Sequence, residues 1–219
     1  MQIKHIAGLV FSSFLLTSCG GAGEQAKPET SKEAEAEVTK ETCTYSYSDA
    51  PVEVLWVAYK YTDKTGVKGK FEESTVTPGG KGTVVDALTG AQVSIATASS
   101  NSGDPTRDPK IDASFFGKLE NGASLSGVIN SANGDDISGT VSADITMNGQ
   151  TKPIDGVYKV NNATVELRFE LNVETWSANE ALDELNKVCE DLHKGADGKS
   201  VLWPDVTVFV TAALNKECK

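Results

Sequence analysis

Apolar and polar residues alternate in short runs along most of this chain, and turn residues separate the runs. Val54, Trp56, Ala58 and Lys60 share one face of a first strand, with Leu55, Val57, Tyr59 and Tyr61 on the other. Such a period of two places neighbouring side chains on opposite faces of extended backbone. Val93, Ile95 and Thr97 repeat it. Val141, Ala143, Ile145 and Met147 run into Asn148-Gly149, a dipeptide that accepts positive φ and so suits a tight hairpin. A second hairpin is expected from Ile154 to Val160, turning at Asn161-Asn162 into Val165, Leu167, Phe169, Leu171 and Val173. Val206, Val208 and Val210 predict a last strand after Pro204. Strands and turns at this spacing predict an all-β, antiparallel sandwich or closed barrel.

One stretch departs from the pattern. From Ser177 to Lys194, Leu182, Leu185, Val188 and Leu192 fall at helical spacing, with Ser177 or Asn179 as N-cap and Gly195 as stop. A single amphipathic helix is expected there, docked on the sheet through its narrow apolar stripe.

The N-terminus carries a different signal. Lys4 precedes an eleven-residue apolar run, Ile6 to Leu16, which ends in Leu16-Thr17-Ser18-Cys19. This reads as a bacterial lipobox, with residues 1–18 a signal peptide cut just before a lipid-modified Cys19. The run is shorter than the roughly 20 residues a spanning helix needs. The expectation is an exported protein held to the cell envelope by acyl chains. Gly20 stands where an aspartate retains such proteins at the inner membrane of enterobacteria, which favours the outer membrane. Residues 19–42 contain six Glu, three Lys and no aromatic residue. Such a stretch cannot bury enough apolar surface to offset its ordering entropy, so it reads as a flexible tether. The folded domain is expected over residues 43–219.

The formal charge of −11 becomes −12 without Lys4, and Arg107 and Arg168 are the only arginines. Phosphate recognition needs clustered Lys and Arg, so nucleic acid is excluded as a partner. With Cys19 lipidated, Cys43, Cys189 and Cys218 leave one disulfide and one odd thiol in an oxidising compartment. Cys43 and Cys218 flank the first and last strands, which an antiparallel barrel places side by side. Cys189 with either of them stays open. No two cysteines are close in sequence and His193 is the sole histidine of the mature chain, so no metal site is expected. A lone histidine, no Gly-x-Ser-x-Gly elbow and no distinct carboxylate pair give no catalytic residues. No cofactor is implied.

Several landmarks then agree in order. They are the strand Val54-Leu55-Trp56-Val57-Ala58-Tyr59-Lys60, and Val67-Lys68-Gly69-Lys70-Phe71 after it. Val93-Ser94-Ile95, a Ser-Gly loop, Arg107-Asp108 and Phe115-Phe116 follow. Ser138-Gly139-Thr140, the run from Asn148 to Pro153, and Asp205-Val206-Thr207-Val208 complete the series. The segment from Cys43 to Lys219 thereby resembles the YceI-like polyisoprenoid-binding proteins, exported lipocalin-like barrels. The family's aromatic-proline step after the phenylalanine pair is missing here, and Trp176 with the long helix replaces its usual arginine and glycine region.

The resemblance implies about eight strands around an interior that takes a long isoprenoid chain. Val54, Trp56 and Ala58 would line the cavity, with Phe71, Phe115 and Phe116 near its ends. Lys60, on the same strand face at the barrel rim, would meet a pyrophosphate or carboxylate head group while its stem packs on the wall. Apolar alternation looks identical in a solid core, so only the resemblance favours a hollow one. Arg107 and Asp108 are expected to fix their loop, and Asp104, Asp108 and Asp112 read as turn residues. The expected function is a membrane-tethered carrier of an amphipathic lipid of quinone or prenyl-pyrophosphate type, without enzymatic activity. The alternative is a structural or stress-related envelope lipoprotein with a filled barrel and protein partners.

Overall fold

In the computed structural model residues 42–219 are described, and every strand pairing among them is antiparallel. The lipobox, Cys19 and nearly all of the expected tether lie outside the described residues. Among the described residues there are eleven strands: β1 (Cys43–Tyr47), β2 (Glu53–Lys60), β3 (Thr65–Phe71), β4 (Ser74–Thr77), β5 (Gln92–Ala96), β6 (Ser100–Asn101), β7 (Ser124–Gly134), β8 (Ser138–Met147), β9 (Gln150–Asn161), β10 (Thr164–Asn172) and β11 (Leu202–Cys218). Their order in the sheet is β4-β5-β7-β8-β9-β10-β11-β2-β3-β6, with β1 also on β11.

The two ends of that order are continuations of strands already inside it. β4 follows β3 after Glu72 and Glu73, and β6 follows β5 after one 3-10 turn, Thr97–Ser99. Lys70 and Phe71 pair with Asn101 and Ser100, and Ser74 to Thr77 with Ile95 to Gln92, so the β3–β4 ribbon lies against the β5–β6 ribbon from Lys70 onward. Glu72 N–H donates to Ser99 O (3.0 Å) and Ala96 N–H to Glu73 O (3.1 Å) across the breaks. Eleven strands are therefore eight ribbons, and the eight close into a lipocalin-like barrel. Closure shortens the open edges that would otherwise recruit another chain to the start of β3 and the end of β7.

β11 is the seam. It pairs with β10 on one side, and on the other with β2 and then β1, which share its length end to end. Cys43 stands opposite Cys218 in register, and the two form a disulfide. Pro204 sits where the pairing of β11 with β2 shifts register, between Leu202 and Val206. Proline is tolerated there because the ladder is already interrupted.

The turns follow from backbone sterics. Asn148 and Gly149 both take positive φ (50° and 66°) between β8 and β9, as a two-residue hairpin requires. The β9–β10 turn is Asn162-Ala163 (φ 48° and 60°) rather than Asn161-Asn162. Asn161 instead pairs with Thr164, because the inward set Tyr158, Val165 and Leu167 fixes the register one residue later.

Helices exceed the expected one. α1 (Val84–Leu88) starts at a capping box, with Asp86 N–H donating to Thr83 Oγ1 and Thr83 N–H to Asp86 Oδ2. α2 (Asp108–Ser114) contains Asp108 and Asp112, which read as turn residues in sequence. The segment from Ser177 to Lys194 is broken at Cys189 into α3 (Asn179–Val188) and α4 (Glu190–His193). Ser177 is in the left-handed region, closing the 3-10 turn Val173–Trp176 instead of capping α3. The docked face also differs from the expected stripe. Ala178, Ala181, Cys189 and His193 are buried, with Leu182 and Leu185 half-buried, whereas Val188 and Leu192 are 41% and 50% exposed. The buried row advances by three or four residues per step and drifts around the helix, so the larger Val188 and Leu192 fall outside it.

Candidate functional site: the barrel interior

Inward residues of the strands build two chambers in line along the barrel. The first, about 160 Å³, lies toward α1 and is walled by Val54, Ile95, Leu167, Phe169, Val210 and Leu88, among others. The second, about 130 Å³, lies toward α2 and α3 and is walled by Trp56, Ala58, Phe116, Met147, Leu185 and Trp203, among others. Phe71, Leu125, Leu171 and Val208 border both chambers and form the waist between them. No lining side chain of either chamber carries a charge. An apolar cavity of about 150 Å³ stays dry and accepts a guest the size of benzene. Each chamber is of that size, and the two in series suit a linear apolar molecule.

Flat packing of aromatic side chains keeps this interior open. The Trp56 indole lies over Gly69, its cross-strand partner on β3, so closely that a Cβ on Gly69 would sit 2.1 Å from Cζ2 of the ring. Tyr158 covers Gly139 and Phe169 covers Gly156 in the same in-register way. Each glycine lets a ring lie along the wall rather than project across the lumen. At the waist Phe71 and Phe116 meet with ring centroids 6.0 Å apart, and Phe115 packs edge-on against Phe116 at 5.3 Å.

The expected lining residues divide between the chambers. Val54 faces the first; Trp56, Ala58, Phe115 and Phe116 face the second; Phe71 faces both. Lys60 borders neither. Its ammonium donates to Leu192 O (2.9 Å) and sits 4.5 Å over the Tyr61 ring. The carbonyls ending α4 attract the cation, and the ring face holds it. Arg107 donates to Asp104 (3.3 Å), and Asp108 accepts from Ser102 N–H (2.8 Å), which pins the loop leading into α2.

Sequence reasoning missed α2, whose Ile111 helps close the second chamber, and Trp203, whose Nε1 donates to Tyr61 O (2.7 Å). The Asp108-Pro109 step marks a helix start, since proline at the first turn gives up no intrahelical bond. Trp176 is fully buried, donating to Ile145 O (3.0 Å) while its own carbonyl accepts from Asn148 Nδ2 (2.8 Å) and Gln150 Nε2 (3.2 Å). It anchors the start of α3 to the β8–β9 hairpin.

Beside the second chamber lies a buried polar group with no direct access to it. His193 Nδ1–H donates to Asn186 Oδ1 (2.9 Å), which also accepts from Ser200 Oγ (3.0 Å). Burial, with the positive charges of Lys60, Arg107 and Lys110 nearby, depresses His193 to about 4. Cys189 is a free, buried thiol, and burial raises its pKa against the weaker pull of the same three cations. A thiol held protonated in this way is a poor nucleophile. Among the described residues no three His, Cys, Asp or Glu side chains gather as metal ligands.

Comparison with known proteins places this architecture. A family model described as "YceI-like domain" matches residues 32–211. A search of curated proteins finds no match. Among solved structures, a polyisoprenoid binding domain from Saccharophagus degradans, implicated in plant cell wall breakdown, is 16% identical with a TM-score of 0.56. The alignment covers 80% of this chain and 98% of that one. Burkholderia cenocepacia BcnA is 13% identical with a TM-score of 0.52, covering 75% and 96%. A Campylobacter jejuni YceI protein is 14% identical with a TM-score of 0.51, covering 73% and 89%. At these identities the likeness is one of fold.

Proposed function

The chain belongs to the YceI-like domain family, and from that membership and the two chambers we propose that it binds an amphipathic lipid, its apolar chain lying within the barrel. The observation that carries the reading is the pair of adjoining uncharged cavities, which share four apolar lining residues. A filled barrel serving only as a structural envelope protein would have no use for such space. Burial of each CH₂ contributes about 0.8 kcal/mol, so a prenyl chain binds without any catalytic group. The Saccharophagus neighbour is described as polyisoprenoid-binding, and a polyisoprenoid fits the same chemistry here. The protein on this reading is a carrier, not an enzyme. Lipid on Cys19 would tether it to the envelope, at the outer membrane if the cell has one, where acyl-chain ligands are at hand.

The test is organic extraction and native mass spectrometry of the full-length protein purified from its own membranes without detergent. A co-purifying prenyl lipid in near-stoichiometric amount is the expected result. An apo mass that also fails to shift on addition of geranylgeraniol would leave the structural alternative standing.

A further inference from the structure

Helical segments close both chambers, but the closures are held in different ways. At the first chamber the closing segment is α1 with its flanks, and its backbone is bonded into the wall. Gly82 and Tyr45 of β1 exchange two hydrogen bonds (2.6 and 3.0 Å), and Gly90 N–H donates to Ile129 O (2.8 Å). Val84 N–H donates to Asp136 Oδ1 (3.3 Å), and Val84, Ala87 and Leu88 are all buried. β1 is itself fastened to β11 by the Cys43–Cys218 disulfide.

Two segments meet over the second chamber. One is α3, anchored at its start by the Trp176 hydrogen bonds to the β8–β9 hairpin and Ile145. The other is residues 102–118, made of a loop, α2 and the 3-10 turn Phe116–Lys118. Among the described residues, every hydrogen bond and ion pair made by residues 102–118 ends within residues 101–119. No residue of α2 is buried and no side chain caps its start. Apolar contacts join the segment to the barrel: Ile111 and Phe115 face the chamber, and Phe116 meets Phe71. Backbone held in this way opens locally at lower cost than backbone bonded into a sheet.

The root of the segment points the same way. Ser100 Oγ and Ser102 Oγ are buried without a hydrogen-bond partner, and both stand where β6 leads into the loop. An unpaired buried hydroxyl is costly, so the closed form gives up part of its advantage to an open one in which water reaches both. Next to them Gly103 takes a φ of 73° with open space where a Cβ would stand. One bond spans this hinge, from Ser102 N–H on the barrel side to Asp108 Oδ1 on the helix side (2.8 Å).

Resting on the lipid-binding reading above, we propose that residues 102–118 are a lid hinged at Gly103, beneath which the apolar ligand enters and leaves, while the α1 end stays shut. The second chamber then fills first, and the leading end of the chain crosses the waist into the first. Asp108 borders neither chamber, so its bond to Ser102 sets how fast the lid opens and not how tightly the ligand is held.

Stopped-flow mixing of farnesol with the full-length protein, read by the fluorescence of Trp56 and Trp203 in the chamber wall, gives both exchange rates. Asp108→Ala removes the bond across the hinge. It should raise the association and dissociation rates together by about three- to tenfold and leave Kd unchanged. Asp86→Ala, which removes the capping box of α1 at the other end, should change neither rate. Hydrogen exchange on the wild type is an independent reading: the Phe115 and Lys118 amides should exchange about tenfold or more faster than those of Ala87 and Thr89. Bound farnesol should slow the first pair. Equal protection of the two helices, unchanged rates in Asp108→Ala, or rates that rise in Asp86→Ala instead would each overturn the lid while leaving lipid binding intact. Failure of farnesol to bind the wild type would overturn the lipid reading and the lid's role together.

Discussion

The Trp56 indole rests on Gly69, the residue directly opposite it on β3, with room for a hydrogen there and nothing larger. The contact ties a sequence feature, one glycine in a strand, to the shape of the cavity. Gly69→Ala should push the ring off the wall into the second chamber. The cost of overpacking is about 1–3 kcal/mol. Urea denaturation should show that loss, and ligand affinity should fall with it. A variant of wild-type stability and affinity would mean that the ring does not depend on this glycine.

His193 sets a pH dependence whose sign follows from its low pKa. The folded state holds it neutral down to about 4, whereas the unfolded chain takes up the proton near 6.5. Unfolding therefore binds protons, and stability is lost as pH falls through the window from 6.5 to 4 and levels off below it. The size is about 3 kcal/mol, since each tenfold difference in proton affinity between the two states is worth roughly 1.4 kcal/mol. Denaturation midpoints at pH 7.5 and pH 4.5 should differ more in the wild type than in His193→Gln. An NMR titration that places His193 near 6.5 would contradict the burial argument.

The Cys43–Cys218 disulfide closes the two ends of the domain across the seam strand, with a sequence separation of 175. The chain-entropy model gives roughly 4–5 kcal/mol for so long a loop. Reduction should lower the melting temperature while the β-type circular dichroism persists, because the other ribbons do not depend on β1. Cys189, buried and free, should react with a maleimide only after unfolding. Labelling of the native protein at Cys189 would show that α3 and α4 open readily.

Cys19 is the basis of the proposed membrane tether. Cys19→Ser removes the acyl acceptor and should release the protein into the soluble periplasmic fraction, with an unchanged fold by circular dichroism. Fractionation that still finds Cys19→Ser with the membranes would remove the lipobox reading and leave the barrel as it is.

Much of the barrel was legible because alternation writes the inner face directly into the sequence. Val54, Trp56 and Ala58 turn inward as the period of two requires. Asn148-Gly149 turns where its φ preference places it. The strand count was less legible: ribbons broken at Glu72-Glu73 and Thr97–Ser99 keep their direction, and no local signal distinguishes a break from a continuation. Helical spacing was read on Val188 and Leu192, yet the small residues Ala178 and Ala181 are the ones buried. Close approach favours small side chains, which hydrophobicity undervalues. Lys60 shares a strand face with Trp56, but a long flexible side chain at a strand end goes where acceptors are, and Leu192 O was not visible from spacing.

The waist makes a prediction about chain length. Phe71, Leu125, Leu171 and Val208 border both chambers, so a ligand long enough to occupy both must pass between them. Each additional buried CH₂ contributes about 0.8 kcal/mol, and two of them more than a factor of ten in affinity. Wild-type protein should thus bind geranylgeraniol at least tenfold more tightly than geraniol. Val208→Phe adds a ring at the waist on β11, a strand held on both sides, so the fold should survive with a cost of about 1–3 kcal/mol. In that variant geraniol should still fill one chamber while the longer alcohol loses its advantage. Isothermal titration of both alcohols against both proteins decides it. A Val208→Phe protein that keeps the full preference for the longer chain would show that the two chambers are not occupied in series.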